Sequence, residues 1–457
     1  MGLLKSEPLG VCIVAENASL RFGGEASLPL HYFARLRARG VEAWLVVHAR
    51  TQAELEALFP NERGRILFIQ DRWFHKLIWK LSRYLPRRLA EATLGTLMVL
   101  VNQYMQRRLV RNLVATSQVD VVHQPIPVSP RAPSFIFGLG VPVVIGPMNG
   151  GMEYPPAFRD AESWLTRISI AMARRSANFV NRVIPGKTRA NILLVANHRT
   201  RLALPSHIKA DVLELPENGV DLNLWSVQRQ TRESCPRFIF VGRLVDWKRL
   251  DLAIHALLHV PMAQLEIIGD GPMRQEWTAL VARLGLGNRI SFVGWLPQSD
   301  CALHMHSAIA LLLPSVYECG GAVVLEAMAA AIPVIATAWG GPADYIDETC
   351  GILVAPSNIQ AIIDGFAAGM QRLIDFPAVQ QELGECGRRR VEEQFDWDKK
   401  IDRMLQVYRH ARGKTEESLG NVACGAARRV EPRGGDQATV GEEDGSKTPV
   451  TLTPGYR

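Results

Sequence analysis

Tyr317–Thr337 reads YECGGAVVLEAMAAAIPVIAT. An apolar run, AIALLLPS, leads into it and IPVIAT closes it. The order is therefore strand, loop, glycine pair, helix, proline, strand. In sheets built from such units, ligands sit outside the carboxyl ends of strands, where loops lead into helix amino termini. Gly320 and Gly321 would let the backbone approach a ligand closely, and the first free amides of the helix suit an anion or sugar hydroxyls. Glu318 lies in the loop before those amides. Glu326 shares a helical face with Ala322, Ala329 and Ala330, whose small side chains leave space beside it. A carboxylate there can accept hydrogen bonds from two neighbouring hydroxyls, as on a ribose. Taken alone, Glu326 reads more readily as an ordinary helix glutamate, since glutamate is common in helices.

The surroundings favour the ligand. FVGRLVDWKRLDLAIHAL ends a strand at Gly242 and places Arg243 and Lys248 in the next loop and helix start, where they can clamp a pyrophosphate. Around it, strands RFIFVG, QLEIIG, RISFVGWL and AIALLLPS alternate with helices of about a dozen residues, the pattern of a parallel sheet covered on both faces. An earlier series opens with VCIVAE, a glycine loop FGGEAS and the helix LPLHYFARLRARG, and continues through EAWLVV, DVVHQP and GVPVVIGPMNGG. The fold expected is α/β with two facing, doubly wound Rossmann-like domains. The first spans 1–205, completed by a helix at 395–412. The second spans 206–394. A tail, 413–457, is rich in Gly, Ser, Thr, Pro and charge and is expected to be disordered.

With 457 residues, the chain has room for two cores. Its seven cysteines are scattered, without a C-x-x-C pair, which argues for a reducing compartment and against a disulfide framework or zinc site. No signal peptide is evident at the amino terminus, and the longest apolar stretch, Leu94–Val101, is too short to span a bilayer and reads as core. A cytoplasmic protein is expected, soluble or peripheral to a membrane. Net charge is +7, and nine Lys or Arg against one acid, Glu91, fall between Arg72 and Arg111, interleaved with Trp73, Phe74, Trp79, Tyr84 and Tyr104. That stretch reads either as a solvated helical face or as a surface for an anionic membrane. Nucleic acid would account for it but not for the carboxyl-terminal motifs.

Together, NGVD (Asn218–Asp221), FVGRL…K, IIGDGP, ISFVGWL, LLLPSVYECGGAVVLEAMAAAIPVIAT and GGPADYI resemble the family 4 (group 1) retaining glycosyltransferases of the GT-B fold. The resemblance covers nearly all of Pro216–Trp397 and is looser before it, and FDWDKKIDRMLQVY is similar to the final helix that crosses back to the first domain. It implies that Arg243 and Lys248 hold the diphosphate of a nucleotide-sugar, with Gly242 ending the strand beside them. Glu326 would bind the ribose. Glu318 and the amides of Cys319, Gly320 and Gly321 would hold the donor sugar, Gly24 would approach the phosphates, and His123 would contact the sugar near the reacting centre. Three departures stand out. Cys319 lacks the usual aromatic neighbour before the last glycine, Ala331 occupies a common glycine position, and KRLD has no glycine after the lysine.

The resemblance implies transfer with retention to a glycan or lipid-linked acceptor in polysaccharide or glycolipid biosynthesis. Fixed positive charge would stabilise the departing diphosphate. No metal or other cofactor is expected, because the one D-x-D, Asp396-Trp397-Asp398, reads as a helix cap. A dehydrogenase would want G-x-G-x-x-G after the first strand, and ENASLRFGGEAS does not supply it. A non-catalytic GT-B binding protein is the alternative, against which Arg243, Lys248, Glu318 and Glu326 all stand.

Overall fold

The computed structural model describes residues 8–84, 94–159, 177–225 and 235–427. The helix break expected at Pro86 lies outside them. By its contacts the chain divides into two compact units, Met1–Gly413 and Lys414–Arg457.

The first unit holds two sheets whose strands all pair parallel. One contains β1 (Gly10–Val14), β2 (Glu42–His48), β3 (Ile66–Ile69), β4 (Val121–Gln124), β5 (Val143–Met148), β6 (Ile192–Val195) and β7 (Asp211–Glu214), in the order β3-β2-β1-β4-β5-β6-β7. The other contains β8 (Arg237–Val241), β9 (Gln264–Ile268), β10 (Ile290–Gly294), β11 (Leu311–Leu313), β12 (Val334–Thr337) and β13 (Gly351–Val354), in the order β10-β9-β8-β11-β12-β13. Alternation sorts the side chains of the first sheet. Val11, Ile13, Leu45 and Val47 enter the core on one face, while Cys12, Val14, Trp44 and Val46 enter the core on the other.

The terminal helix, Trp397–Ala427, buries Trp397, Ile401, Met404, Tyr408 and Ala411 in the first of these cores. Their spacing of three and four residues forms one helical stripe. Trp397 stacks on His31 with ring centroids 4.7 Å apart and meets the edge of Tyr32 at 5.4 Å. Two boundaries need correction. β7 pairs with β6, so the first sheet runs to Glu214, beyond the expected limit at residue 205. The terminal helix also continues to Ala427 instead of ending at 412, through a glutamate- and alanine-bearing segment compatible with helix. No described helix is long and apolar enough to cross a membrane.

Two of the sequence departures have a backbone explanation. Ala331 and Arg249, the position after Lys248, both take left-handed φ, 55° and 47°. A side chain in that conformation costs about 1–2 kcal/mol, which glycine avoids. Ala331→Gly is therefore expected to stabilise the second domain by up to about 1 kcal/mol once the flexibility glycine gives the unfolded chain is subtracted. Ala327→Gly, inside a helix, should destabilise by about as much. Urea unfolding of the two variants checks the opposite signs.

Candidate functional site

Chain order reverses between β8 and β11 in the second sheet and between β1 and β4 in the first. Loops diverge at such a switch point and leave a crevice at the carboxyl ends of the strands. The loop after β8 carries Gly242 to Lys248, and the loop after β11 carries Glu318 to Gly321, so the two sequence motifs meet across adjacent strands. Backbone packs directly on backbone there. A Cβ on Gly269 would lie 2.0 Å from the Gly242 carbonyl oxygen, and one on Gly341 would lie 2.1 Å from the Gly320 carbonyl oxygen.

In that crevice the Lys248 ammonium donates to the Glu318 carboxylate, with the two side chains only 12% and 16% exposed. The position of a Cβ on Gly242 is 3.6 Å from Lys248 Nζ, so the strand end lies beside the ammonium. Arg243 is exposed, and among the described residues its guanidinium has no hydrogen-bond or ion-pair partner. Lys248 is thus preorganised by a carboxylate that an incoming anion can displace, while Arg243 is free to turn towards it. Gly321 caps the following helix, Ala322–Ala329, with φ 74°.

Glu326 lies on that helix and accepts a hydrogen bond from Gln298 Nε2 at 3.0 Å. It is packed deep among protein atoms yet still touched by solvent, and desolvation pushes its carboxyl up to about 7 against the opposing Gln298 bond. Gln298 in turn lines a cleft of about 670 Å³ with Gly23, Gly24, Ser27, Trp295 and Pro297. Gly24 begins the helix Gly24–Ala38, and a Cβ there would meet nothing within 4 Å. Gln298 of the second domain therefore lines one cleft with Gly24 of the first, and Glu326 lies one hydrogen bond behind it.

The first domain also grips the glycine loop. Asn149 Nδ2 donates to the Cys319 carbonyl at 2.9 Å. Burial pushes the Cys319 thiol up to about 11, so it stays protonated. Asn197 and Arg199 both donate to Asp344, at 2.8 and 2.9 Å. Glu217 is 7% exposed, and burial raises its carboxyl to about 7 against an Asn149 hydrogen bond and the nearby Lys400 charge. Sequence reasoning missed Gln298, Asn149 and Glu217. Asn149 stands in the glycine-rich NGG stretch directly after β5, where no residue type announces a role. Glu217 immediately precedes the NGVD motif, which was the available signal.

His123 needs correction. It is fully buried in β4, where Nε2 donates to the Gly146 carbonyl at 2.6 Å and Nδ1 accepts from the Tyr408 hydroxyl at 2.8 Å. Burial lowers it to about 4, so the ring is neutral and both nitrogens are engaged within the core. It ties β5 and the terminal helix together. In the D-x-D, Asp396 accepts from the Asp398 amide at 3.2 Å, and Asp398 pairs with Arg39 at 2.9 Å. Among the described residues, His48, Asp71 and His75 form a cluster with the proximity of a metal site. Its imidazole lone pairs are already committed. His48 Nδ1 accepts from the Arg50 amide at 3.1 Å and His75 Nδ1 accepts from the Arg72 amide at 2.8 Å. That leaves a proton on each Nε2, and the Nε2 of His75 donates to Asn102 at 2.9 Å.

Residues 223–390 match the family model described as glycosyl transferases group 1. The whole arrangement of sheets matches solved glycosyltransferases. A glycosyltransferase from Rickettsia africae superposes with TM-score 0.62 at 16% identity, covering 88% of this chain and 98% of its own. HepE of Anabaena, solved in complex with UDP-glucose, superposes with TM-score 0.57 at 15% identity, covering 87% and 99%. The chain has the GT-B fold. In sequence, glycogen synthase of Mycobacterium tuberculosis is 31% identical over 254 residues, 54% of this chain and 56% of that protein. The chain thus spans about half the length of the curated relatives it matches.

The raised Glu326 carboxyl has a consequence for this GT-B site without any ligand. Its folded value, about 7, exceeds the ordinary 4.5, so the folded state holds the proton more tightly. The group's contribution to stability is complete below the unfolded value and disappears as pH rises through the folded one. Glu326→Gln, which keeps a neutral side chain, should therefore gain in unfolding midpoint relative to wild type between about pH 5 and about pH 8. A difference that does not change with pH would place this carboxyl in the ordinary range.

Proposed function

We propose that the chain is a retaining glycosyltransferase, moving a sugar from a nucleotide-sugar donor to a glycan or lipid-linked acceptor in polysaccharide or glycolipid biosynthesis. The observation that carries this reading is the meeting of Lys248, Glu318 and the Gly320-Gly321 loop at the switch point, with Arg243 exposed on the same strand end. Lys248 leaves Glu318 to take the diphosphate, and Arg243 supplies the second charge by its planar fork. Glu318, released, accepts from hydroxyls of the donor sugar beside the loop amides. Glu326 takes the ribose hydroxyls, with Gln298 holding its carboxylate in place. Gly24 closes the other side of the cleft towards the phosphates.

As the glycosidic bond breaks, negative charge builds on the diphosphate, and these two cations stabilise it most where it is greatest. The acceptor attacks on the face the diphosphate leaves, which gives retention without a carboxylate nucleophile. Since Arg243 and Lys248 meet the leaving group, no divalent ion is required, and transfer should persist in a chelator. UDP-glucose bound to the similarly folded HepE supports a nucleotide-sugar donor. We place the enzyme in the cytoplasm, peripheral to an anionic membrane, on the strength of the cationic and aromatic helix Trp73–Ser82, whose Trp73 is 75% exposed.

Lys248→Ala and Arg243→Ala should each lower transfer by about 10²-fold or more with the fold intact. Near-wild-type turnover in either variant removes the site. Glu326→Ala should weaken binding of the nucleoside diphosphate in calorimetry, and unchanged affinity would return Glu326 to an ordinary helix position.

A further inference from the structure

At the edge of the first sheet, beyond the cleft, lies a second cavity of about 600 Å³. It is bounded by the end of β3 and by the helices Trp73–Ser82 and Thr96–Thr116. Phe68, Phe74, Ile78, Val101, Met105 and Leu109 give it a mainly apolar lining, with Arg72, Arg108, Gln70 and Asn112 among its polar members. The volume is ordinary for a small-molecule site, and an apolar interior with a pair of cations defines the ligand's chemistry. Both arginines are exposed, and among the described residues neither guanidinium pairs with a carboxylate. Asp71, beside them in sequence, lies against His48 and His75 at 3.3 and 3.8 Å.

The helix Trp73–Ser82 presents two apolar stripes. Phe74 and Ile78, four residues apart, face the cavity. Trp73, Leu77 and Leu81, at the same spacing, are 75%, 46% and 47% exposed, with Lys76 and Lys80 exposed among them. On the facing helix, Leu97 is 45% and Tyr104 58% exposed. Within Leu94–Val101, which reads as core in the sequence, Leu97 is thus exposed and Leu94, Met98, Val99, Leu100 and Val101 are only half-buried. A soluble helix ordinarily hides its apolar stripe, and a contiguous exposed one flanked by lysines is the signature of an interfacial surface. Here the surface continues into a cavity.

The cavity also has a useful position. It sits at the carboxyl end of β3, and β3 lies two strands from β1, whose loop carries Gly23 and Gly24 into the cleft. Neighbouring strands are about 4.8 Å apart, so the lateral separation is on the order of 10 Å.

We propose that this cavity takes the hydrocarbon chain of a membrane lipid phosphate. The phosphate lies at Arg72 and Arg108, and the headgroup is directed along the strand ends towards the cleft. The chain leaves the bilayer across the exposed Trp73, Leu77 and Leu81 and exchanges one apolar surrounding for another. The two guanidiniums fix how far it enters and so set the register of the headgroup against the donor site. This rests on the reading of a lipid-linked acceptor and names where its lipid is held.

The test is calorimetric titration of the full chain, without donor, by monomeric dodecyl phosphate, dodecyl maltoside and inorganic phosphate. Dodecyl phosphate should bind at one site, and inorganic phosphate should not compete for it. Val101→Trp and Met105→Trp, which intrude into the cavity, should each weaken dodecyl phosphate at least about tenfold, since a few buried methylenes carry that much. Both should keep the wild-type unfolding midpoint, and two variants guard against one that misfolds. Arg72→Ala with Arg108→Ala should weaken dodecyl phosphate at least about tenfold and leave dodecyl maltoside unchanged. Undiminished binding in both filled variants, or displacement by inorganic phosphate alone, overturns the proposal. Because no donor is present, the result is independent of transfer. A glycosyltransferase that uses a water-soluble glycan would fail here alone, and a chain that binds lipid without transferring sugar would pass.

Discussion

Backbone packed on backbone at the carboxyl edge of the second sheet is the constraint on which the rest depends. The loops after β8, β9, β11 and β12 converge there with no room for side chains at Gly269 and Gly341. That crowding leaves the loops little room to shift, so side chains that leave the pile are aimed by the sheet. Lys248 and Glu318 meet because the strand ends carrying them are neighbours. In such a site the ammonium is positioned before a ligand arrives, and an incoming anion has only to exchange with the Glu318 carboxylate.

The first domain is organised around a longer-range closure. Its two-faced core is completed by residues near the other end of the chain, with Trp397 against His31 and Tyr32 and Tyr408 against His123. The same domain holds the glycine loop of the second through Asn149, and Asp344 through Asn197 and Arg199. A change in these polar contacts would alter the cleft between Gly24 and Gln298 without touching either sheet.

How much of this could be read from the sequence depended on the range of the interactions. The order of strands and helices was legible from periodicity, and the Gly242–Lys248 and Glu318–Glu326 segments were legible because each packs its glycines and charges into a few residues. The end of the first sheet was not, since β7 is a four-residue edge strand with acidic ends and too short to show a period. His123 had a site-like address at a strand end, but its partners Gly146 and Tyr408 lie 23 and 285 residues away, and they make it a core residue. Gln298 reaches Glu326 across 28 residues from an exposed helix start and carries no local mark of that role. The left-handed backbone at Arg249 and Ala331 appeared in the sequence only as two missing glycines.

The central claim is that the crevice of Lys248, Glu318 and Glu326 binds a nucleotide-sugar. The most direct measurement is the unfolding midpoint of the full chain with a panel of UDP-, GDP- and ADP-sugars and the matching nucleoside diphosphates. One base should raise the midpoint both as diphosphate and as nucleotide-sugar, with about 2.7 kcal/mol of stabilisation at a hundredfold excess over Kd. A panel in which no nucleotide moves the midpoint at millimolar concentration would contradict the account.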